Sequence, residues 1–214
     1  MTGAVVGHPR PSRGFRRGLP LPDPPLADAG AGIVLRPWGG DDAPALAAAW
    51  ADAEVAAHTR VPADTSVTAA ARWVAGQAER RRRGLALDLV VARASAPAEA
   101  SPPVPPPRPT PTLPGHGPVL GEVGLTNFDA AGRAEVGFWL APGARGRGVA
   151  TAAVRLLTRW AQAPGPEGPG LGLAQLWART TPGDERAAGV LARAGFERRG
   201  EAGGTTVWAT PPAM

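Results

Sequence analysis

The sequence contains no cysteine and no tyrosine among its 214 residues, and it contains no lysine either. Without cysteine the chain has no disulfide, no thiolate metal site and no cysteine nucleophile, and a reducing compartment is permitted. Only one isoleucine, Ile33, and one asparagine, Asn127, are present. The missing and rare residue types have AT-rich codons, so their scarcity indicates a GC-rich genome and carries little information about mechanism.

Long hydrophobic runs and a strong net charge are also missing. No apolar stretch approaches the roughly 18 residues of a membrane-spanning helix, and the segment after Arg16 and Arg17 is too proline-rich and too acidic for a signal peptide. We therefore expect a soluble cytoplasmic protein with no membrane partner. We also expect it to be monomeric or homodimeric and to bind no metal. The formal charge of +5 suits an anionic ligand and does not by itself imply nucleic acid, so no nucleic-acid partner is expected.

Composition divides the chain into an arm, a domain and an insertion. Residues 1–30 are rich in proline, glycine and arginine without periodicity, which predicts a disordered arm. The domain is expected at 31–210, with a proline-rich insertion at about 96–118. The insertion cannot join a β-ladder, because proline has no amide hydrogen to donate.

Hydrophobic periodicity predicts alternating strands and helices within the domain. Two of the strands should form a hairpin, whose tip offers Asp129 and Gly132 as turn residues. Strands before and after a helix then indicate a β-α-β unit inside a mixed sheet. The expected strands are 32–38, 85–94, 118–128, 133–142, 173–182 and 205–210, and the expected helices are 39–58, 64–84, 148–163 and 184–196.

The run Arg-Gly-Arg-Gly at 145–148 lies between a predicted strand and the clearest predicted helix. A helix that begins near Gly148 leaves its first amide hydrogens unpaired, and these donors favour an anion. Gly146 and Gly148 carry no side chain, so a ligand can approach the backbone closely. Arg145 and Arg147 add charge that can pair with phosphate. P-loop and dinucleotide-binding patterns are absent, and the features that remain favour a pyrophosphate.

The motif formed by Arg145, Gly148 and Ala150 resembles that of the GNAT superfamily of acetyl-CoA-dependent N-acetyltransferases. The resemblance covers roughly 32–208. Within the superfamily, the chain resembles in particular the subgroup that includes ribosomal-protein N-terminal acetyltransferases. It implies an α+β fold (an α/β mixed sheet) with a central, mostly antiparallel sheet of six to seven strands flanked by about four helices. The blocks that carry it are LRPW, DDAPAL, GEVGL, AEVGFWLAPGARGRGVATAAVRLLTRWA and VLARAGFERRG.

The resemblance also implies how acetyl-CoA, as the acyl donor, would be held. Backbone amides from Arg145 to Ala150 would bind the pyrophosphate, and the strand Val136–Leu140 would align the pantetheine arm. Asp184 and Ala187 stand where the family often has asparagine and serine, and Leu191 stands where many members have a tyrosine acid. The expected cofactor-binding residues are Phe138, Trp139, Leu140, Arg145, Gly146, Arg147, Gly148, Val149, Ala150 and Asp184.

Two glutamates are candidates for the catalytic base of such a transfer. The amine must lose a proton to attack the thioester, and a carboxylate can accept this proton directly or through water. Glu135 lies on the strand expected to carry the pantetheine and Glu122 on its neighbour, and both positions are often acidic in the family. Either could equally be an ordinary glutamate on an exposed strand face. His58 and Arg60 lie where the family's substrate-side helices contribute, and a histidine has a suitable pKa for a base.

Three classes of function remain open from the sequence. The first is an N-acetyltransferase that acts by direct attack in a ternary complex, on a protein or peptide N-terminus or on a small amine. An α-amino group, of pKa about 8, needs less help than a lysine of pKa about 10.4. The second is a non-catalytic acyl-CoA-binding module, which the missing tyrosine permits. The third is a polyanion-binding protein that uses the arginines at 80–83 and the basic N-terminal arm. This third hypothesis leaves the architecture of 138–157 unexplained.

Overall fold

The computed structural model describes residues 18–94, 116–165 and 169–213. The first 17 residues and most of the predicted insertion lie outside these ranges, although the last three residues assigned to the insertion begin a strand. The strands are β1 Leu26–Asp28, β2 Ile33–Pro37, β3 Ala86–Ala94, β4 His116–Thr126, β5 Arg133–Leu140, β6 Gln175–Thr180, β7 Glu197–Ala202 and β8 Thr205–Ala209. The helices are α1 Ala43–Trp50, α2 Ala53–His58, α3 Val67–Ala75, α4 Gln77–Arg82, α5 Val149–Gln162 and α6 Glu185–Arg193.

The strands form one sheet in the order β1-β2-β3-β4-β5-β6-β8-β7. Every neighbouring pair is antiparallel except β5 and β6, which are parallel. The predicted α+β fold with a mostly antiparallel sheet is thereby confirmed. In the described part of the chain the eight strands and six helices exceed the predicted six to seven strands and about four helices.

Two of the predicted helices are each divided into two. Between α1 and α2, Asp52 has an extended backbone, and its side chain accepts a hydrogen bond of 3.0 Å from the amide of Val55. An aspartate that caps a new helix in this way ends the preceding one. Gly76 separates α3 from α4, in keeping with the low helix propensity of glycine.

Two edge strands were not predicted. β1 falls within the predicted disordered arm, where Leu26 pairs with Leu35 of β2 and Leu19 is buried. Order therefore begins before residue 30, and that part of the prediction is wrong. β7 has the sequence ERRGEA and lies at the other edge of the sheet, paired with β8. Its charged residues give no apolar signal, and charge on an edge strand hinders pairing with a second chain.

The two faces of the sheet support two separate hydrophobic clusters. On one face lies α5, whose predicted stripe of Val149, Ala153, Leu156, Leu157 and Trp160 is buried. The other face is covered by α1 and α3, which pack tryptophan, leucine and alanine side chains onto alternate residues of β3. Within the described ranges, no helix is both long enough and apolar enough to cross a lipid bilayer.

Candidate functional site

Strands β5 and β6 pair only over the first residues of β5 and then separate. The register ends at Glu135 opposite Trp177, whereas β4 remains paired with β5 as far as Leu140. In the described chain, the side of β5 that faces β6 therefore has no partner strand between Val136 and Leu140. We call this opening the fork. Unpaired backbone groups along a strand can hydrogen-bond to an extended ligand.

The turn after β5 places glycines at the beginning of α5, as predicted. Gly146 and Gly148 have φ values of +74° and +75°, in the left-handed region that favours glycine. A Cβ atom on either residue would meet no other atom within 4 Å, so the space in front of this backbone is open. No side chain of the described chain caps the first turn of α5. Residues 145–150, the anion cradle, thus fit a pyrophosphate, because helix amides without partners attract anions.

The side chain of Arg145 is held by other parts of the protein. Its Nε donates to the carbonyl of Leu140 at 3.0 Å, Nη2 to Asp52 at 2.5 Å and Nη1 to Glu54 at 3.0 Å. The hydrogen bond from Arg145 lowers the pKa of Asp52. Pairing of this guanidinium with phosphate would require it to leave these partners. Arg147, by contrast, is exposed at the surface of the cradle.

Helix α2 contacts both sides of the fork. Besides Arg145, Glu54 accepts a hydrogen bond of 3.0 Å from Arg186 in α6. The predicted ligand Asp184 caps α6 by accepting from the amide of Ala187 at 2.9 Å, and its carboxylate lies 3.6 Å from Nδ1 of His58. A cavity of about 550 Å³ lies between the two helices, lined by Glu54, His58 and the segment Thr181–Arg186. Arg60, which follows α2, is exposed and does not line this cavity.

Glu122 lies on β4 in an aromatic environment. Its carboxylate accepts a hydrogen bond of 2.8 Å from the indole nitrogen of Trp38 and one of 3.3 Å from that of Trp139. Burial raises the pKa of Glu122 to about 8, and the negative charge of Asp88 contributes in the same direction. Trp139 is the direct register partner of Glu122 on β5, so the carboxylate adjoins the strand that borders the fork.

Glu135 is bound by basic and amide groups at the closed end of the fork. Arg179 of β6 donates to its two oxygens at 3.0 and 3.1 Å, and the Asn127 side chain donates to it at 2.5 Å. This arrangement ties β5 to β6 at their last paired residues and occupies both carboxylate oxygens. Both oxygens of Glu122 also accept hydrogen bonds, but from neutral indoles, whereas Glu135 is paired with the charged guanidinium of Arg179. Of the two glutamates predicted as candidates, Glu122 therefore has the environment better suited to accepting a proton.

Several tryptophan side chains lie around the site. The ring centroids of Trp38 and Trp139 are 6.3 Å apart, and Trp38 also meets Trp73 edge-on at 5.8 Å. Arg179 lies over Trp177, 5.1 Å from the ring centroid. A second cavity, of about 410 Å³, borders Trp139. Its remaining lining is Ala45, Ala48, Ala49, Ala51, Asp52, Val119, Ala141 and Pro142. The other predicted strand residues, Phe138 and Leu140, pack against the cluster under α5.

Three of the four arginines proposed as a polyanion site have partners within the described part of the protein. Arg80 lies 3.4 Å from Asp88, Arg81 donates to the carbonyl of Leu19 at 3.1 Å, and Arg82 pairs with Glu79. The contacts of Arg80 and Arg81 connect α4 to β3 and to Leu19, and the pair of Arg82 lies within the helix, so these charges have local roles that weaken the polyanion hypothesis.

Three acidic residues of the site were missed at the sequence level. Asp88 interrupts the apolar residues that precede Arg93 in β3, a signal that could have marked it as a buried polar group. Asp52 and Glu54 carry no such signal, because their contacts with Arg145 span 93 and 91 residues of sequence.

The raised pKa of Glu122 predicts a pH-dependent stability. The folded chain holds this proton up to about pH 8, whereas the ordinary pKa of a glutamate, expected in the unfolded chain, is 4.5. The folded state therefore binds more protons between these values, and the free energy of unfolding should fall as the pH rises through this window. Glu122→Gln should reduce that fall, measured by thermal unfolding at about pH 5 and pH 9. If the wild type and Glu122→Gln lose the same stability between these two pH values, the raised pKa of Glu122 is contradicted.

Comparison with solved structures places this fold among acetyltransferases. RimJ from Mycobacterium smegmatis, in complex with CoA-disulfide, is 21% identical with a TM-score of 0.62, over 94% of this chain and 89% of that chain. The ribosomal-protein-S5-alanine acetyltransferase of Vibrio fischeri is 18% identical with a TM-score of 0.64, over 84% and 93%. The microcin C7 self-immunity acetyltransferase MccE, in complex with acetyl-CoA and AMP, is 15% identical with a TM-score of 0.61, over 84% and 92%.

A search of curated proteins and a comparison with protein-family models gave different results. No match was found among curated proteins. The family model described as "Acetyltransferase (GNAT) domain" matches residues 33–197, which is most of the chain. The resemblance noted at the cradle motif is confirmed by this match and by the ribosomal-protein acetyltransferases among the similar structures. The fork, the cradle and the family match lead to one conclusion: the protein belongs to the GNAT acetyltransferase family.

Proposed function

We propose that the protein transfers the acetyl group of acetyl-CoA to a primary amine, in the first place the N-terminal α-amino group of a protein or peptide. The observation that carries this proposal is the fork between β5 and β6, which opens beside the glycines of the anion cradle. An unpaired strand edge and a free helix N-terminus, side by side, suit a ligand with an amide-containing arm and a pyrophosphate.

Acetyl-CoA would be held mainly by backbone groups. The amides of 145–150 would bind the pyrophosphate, and the edge of β5 from Val136 to Leu140 would hydrogen-bond to the pantetheine. Arg147 supplies positive charge at the surface of the cradle. The solved structures of RimJ and MccE contain CoA-disulfide and acetyl-CoA, respectively, which supports the same donor for this chain.

Glu122 is the base that we propose for the transfer. The amine nitrogen attacks the thioester carbonyl, the new N–C bond forms, the C–S bond breaks, and the amine proton passes to Glu122. Coenzyme A leaves as a thiolate that takes a proton from solvent. A base with a pKa of about 8 matches an α-amino group with a pKa of about 8, so the proton transfer has little energetic penalty.

The amine would approach through the cavity beside α1. This cavity shares Trp139 with the surroundings of Glu122, and alanines form most of its wall. A ribosomal-protein-alanine acetyltransferase among the similar structures supports a peptide N-terminus as the acceptor. The buried Leu191, in place of the tyrosine acid of many relatives, keeps a non-catalytic acyl-CoA-binding module as the second candidate.

The test is to incubate the protein with acetyl-CoA and a panel of peptides and small amines while following free thiol. The proposal predicts thiol release with at least one peptide that has a free α-amino group, and none with the same peptide blocked at its N-terminus. Saturable binding of acetyl-CoA without thiol release for any acceptor would favour the non-catalytic module. Absence of binding would overturn the proposal.

A further inference from the structure

Asp88 is a buried carboxylate with no part in the transfer described above. It lies on β3, its side chain is 8% exposed, and Nη1 of Arg80 is 3.4 Å from its Oδ2. Among the described residues, Oδ2 has no hydrogen-bond donor. Gly124 of β4 is its register partner, and a Cβ there would lie 2.7 Å from Oδ1 of Asp88. The glycine thus leaves room for a carboxylate in a position where an ordinary strand would place an apolar side chain.

The sheet register brings Asp88 and Glu122 to one face. Asp88 pairs with Gly124 and Val90 pairs with Glu122, so the two acidic residues are diagonal neighbours, and such residues are about 7–8 Å apart in a sheet. Burial raises the pKa of Asp88 to about 6, and Arg80 opposes that rise. Two negative charges at this separation in a poorly solvated site repel each other, so the charge on one makes the other a stronger base.

The other charges around Glu122 are few and already paired. α4 contributes Arg80, and β2 contributes Arg36, whose guanidinium is bound to both oxygens of Asp42 at 2.6 and 2.8 Å. From α1 and α3 the residues packed in this cluster are apolar. The loop after β2 and strand β5 contribute the neutral indole donors of Trp38 and Trp139.

We infer that Asp88 is a positioning residue for Glu122: together with Arg80 it forms a charge pair beside Glu122 that controls the charge on this glutamate. The inference rests on the proposed role of Glu122 as the base. Asp88 lines neither of the two cavities described above, and it acts only through its charge. The side chain of Arg80 is 38% exposed, so the charge pair extends from the protein surface to the neighbourhood of Glu122.

The experiment titrates Glu122 without any substrate. The indole ¹H–¹⁵N signals of Trp38 and Trp139 report its protonation, because both indoles donate to this carboxylate. The signals are assigned with Trp38→Phe and Trp139→Phe. Wild type should titrate with a midpoint near pH 8, and Glu122→Gln should abolish the titration.

Two substitutions should move the midpoint in opposite directions. Asp88→Asn removes a negative charge and should lower it by about one to two pH units, as expected for charges about 7–8 Å apart at an effective dielectric constant of about 20. Arg80→Gln removes a positive charge and should raise it. Arg72→Gln is the matched control, because Arg72 is exposed and pairs with Asp64 instead, and it should leave the midpoint unchanged.

Each outcome decides the inference. An unchanged midpoint in Asp88→Asn, or shifts of the same sign in the Asp88 and Arg80 variants, would overturn it. If Asp88→Asn does not fold, the surface variant Arg80→Gln still decides, since a lowered or unchanged midpoint contradicts the inference. Because no acetyl-CoA is present, this result is independent of the proposed activity. Failure of the activity would appear separately, as the absence of thiol release in a wild-type protein whose Glu122 titrates normally.

Discussion

Replacing Glu122 by glutamine is expected to lower kcat by a factor of about 10² to 10⁴, the usual contribution of a general base, while the affinity for acetyl-CoA stays unchanged. Glutamine has nearly the same shape, and its carbonyl can still accept a hydrogen bond from one of the two indoles that now bind Glu122. It cannot accept the amine proton. The measurement is thiol release at saturating acceptor together with the dissociation constant of acetyl-CoA.

Glu135→Gln is the matched comparison for this variant. Glu135 already binds Arg179 and Asn127, so its loss should affect kcat much less than the loss of Glu122. A large fall in kcat for Glu135→Gln with full activity in Glu122→Gln would reverse the assignment of the base. Full activity in both variants would show that neither glutamate accepts the proton.

Replacing Gly148 by valine is expected to weaken acetyl-CoA binding by at least about 100-fold. The added side chain would occupy the open space in front of the cradle, where the pyrophosphate must approach the amides. Hydrogen bonds to a charged group contribute about 1.5–3 kcal/mol each, so the loss of two of them accounts for a change of this size. Isothermal titration with acetyl-CoA measures it directly.

The Gly148→Val substitution requires a control for backbone strain, because Gly148 has a φ of +75°, which strains any residue with a side chain. Gly203, in the turn between β7 and β8, has a φ of +57° and also has open space around it. Gly203→Val therefore adds a similar backbone strain away from the cradle. It should lower the thermal unfolding midpoint about as much as Gly148→Val and leave acetyl-CoA affinity intact. Equal losses of affinity in both variants would contradict the cradle.

The parts of the fold predicted correctly are those with local signals. The apolar stripe of α5 repeats with helical spacing, and the glycines before it can be identified from sequence alone. The strands β1 and β7 were missed because one is three residues long and the other consists mostly of charged residues. Both are fixed by pairing with a neighbour rather than by their own composition.

The sequence predicts which strand and turn would bind acetyl-CoA, but it does not predict the electrostatics around the two candidate bases. The sequence slightly favours Glu135 over Glu122 as the base, because Glu135 stands on the strand expected to carry the pantetheine and Glu122 on its neighbour. Their difference depends on partners far along the chain: Trp38 lies 84 residues from Glu122, and Arg179 lies 44 residues from Glu135. Cross-strand register and the packing of α4 decide these contacts, and neither follows from the spacing of residues in a single strand.

The most direct test of the account is mass spectrometry of a peptide with a free N-terminus, incubated with the protein and acetyl-CoA. The account predicts that the wild-type protein adds one acetyl group at the α-amine, and that Gly148→Val adds much less at the same acetyl-CoA concentration. An unmodified peptide across the whole acceptor panel, or full acetylation by Gly148→Val, would contradict it.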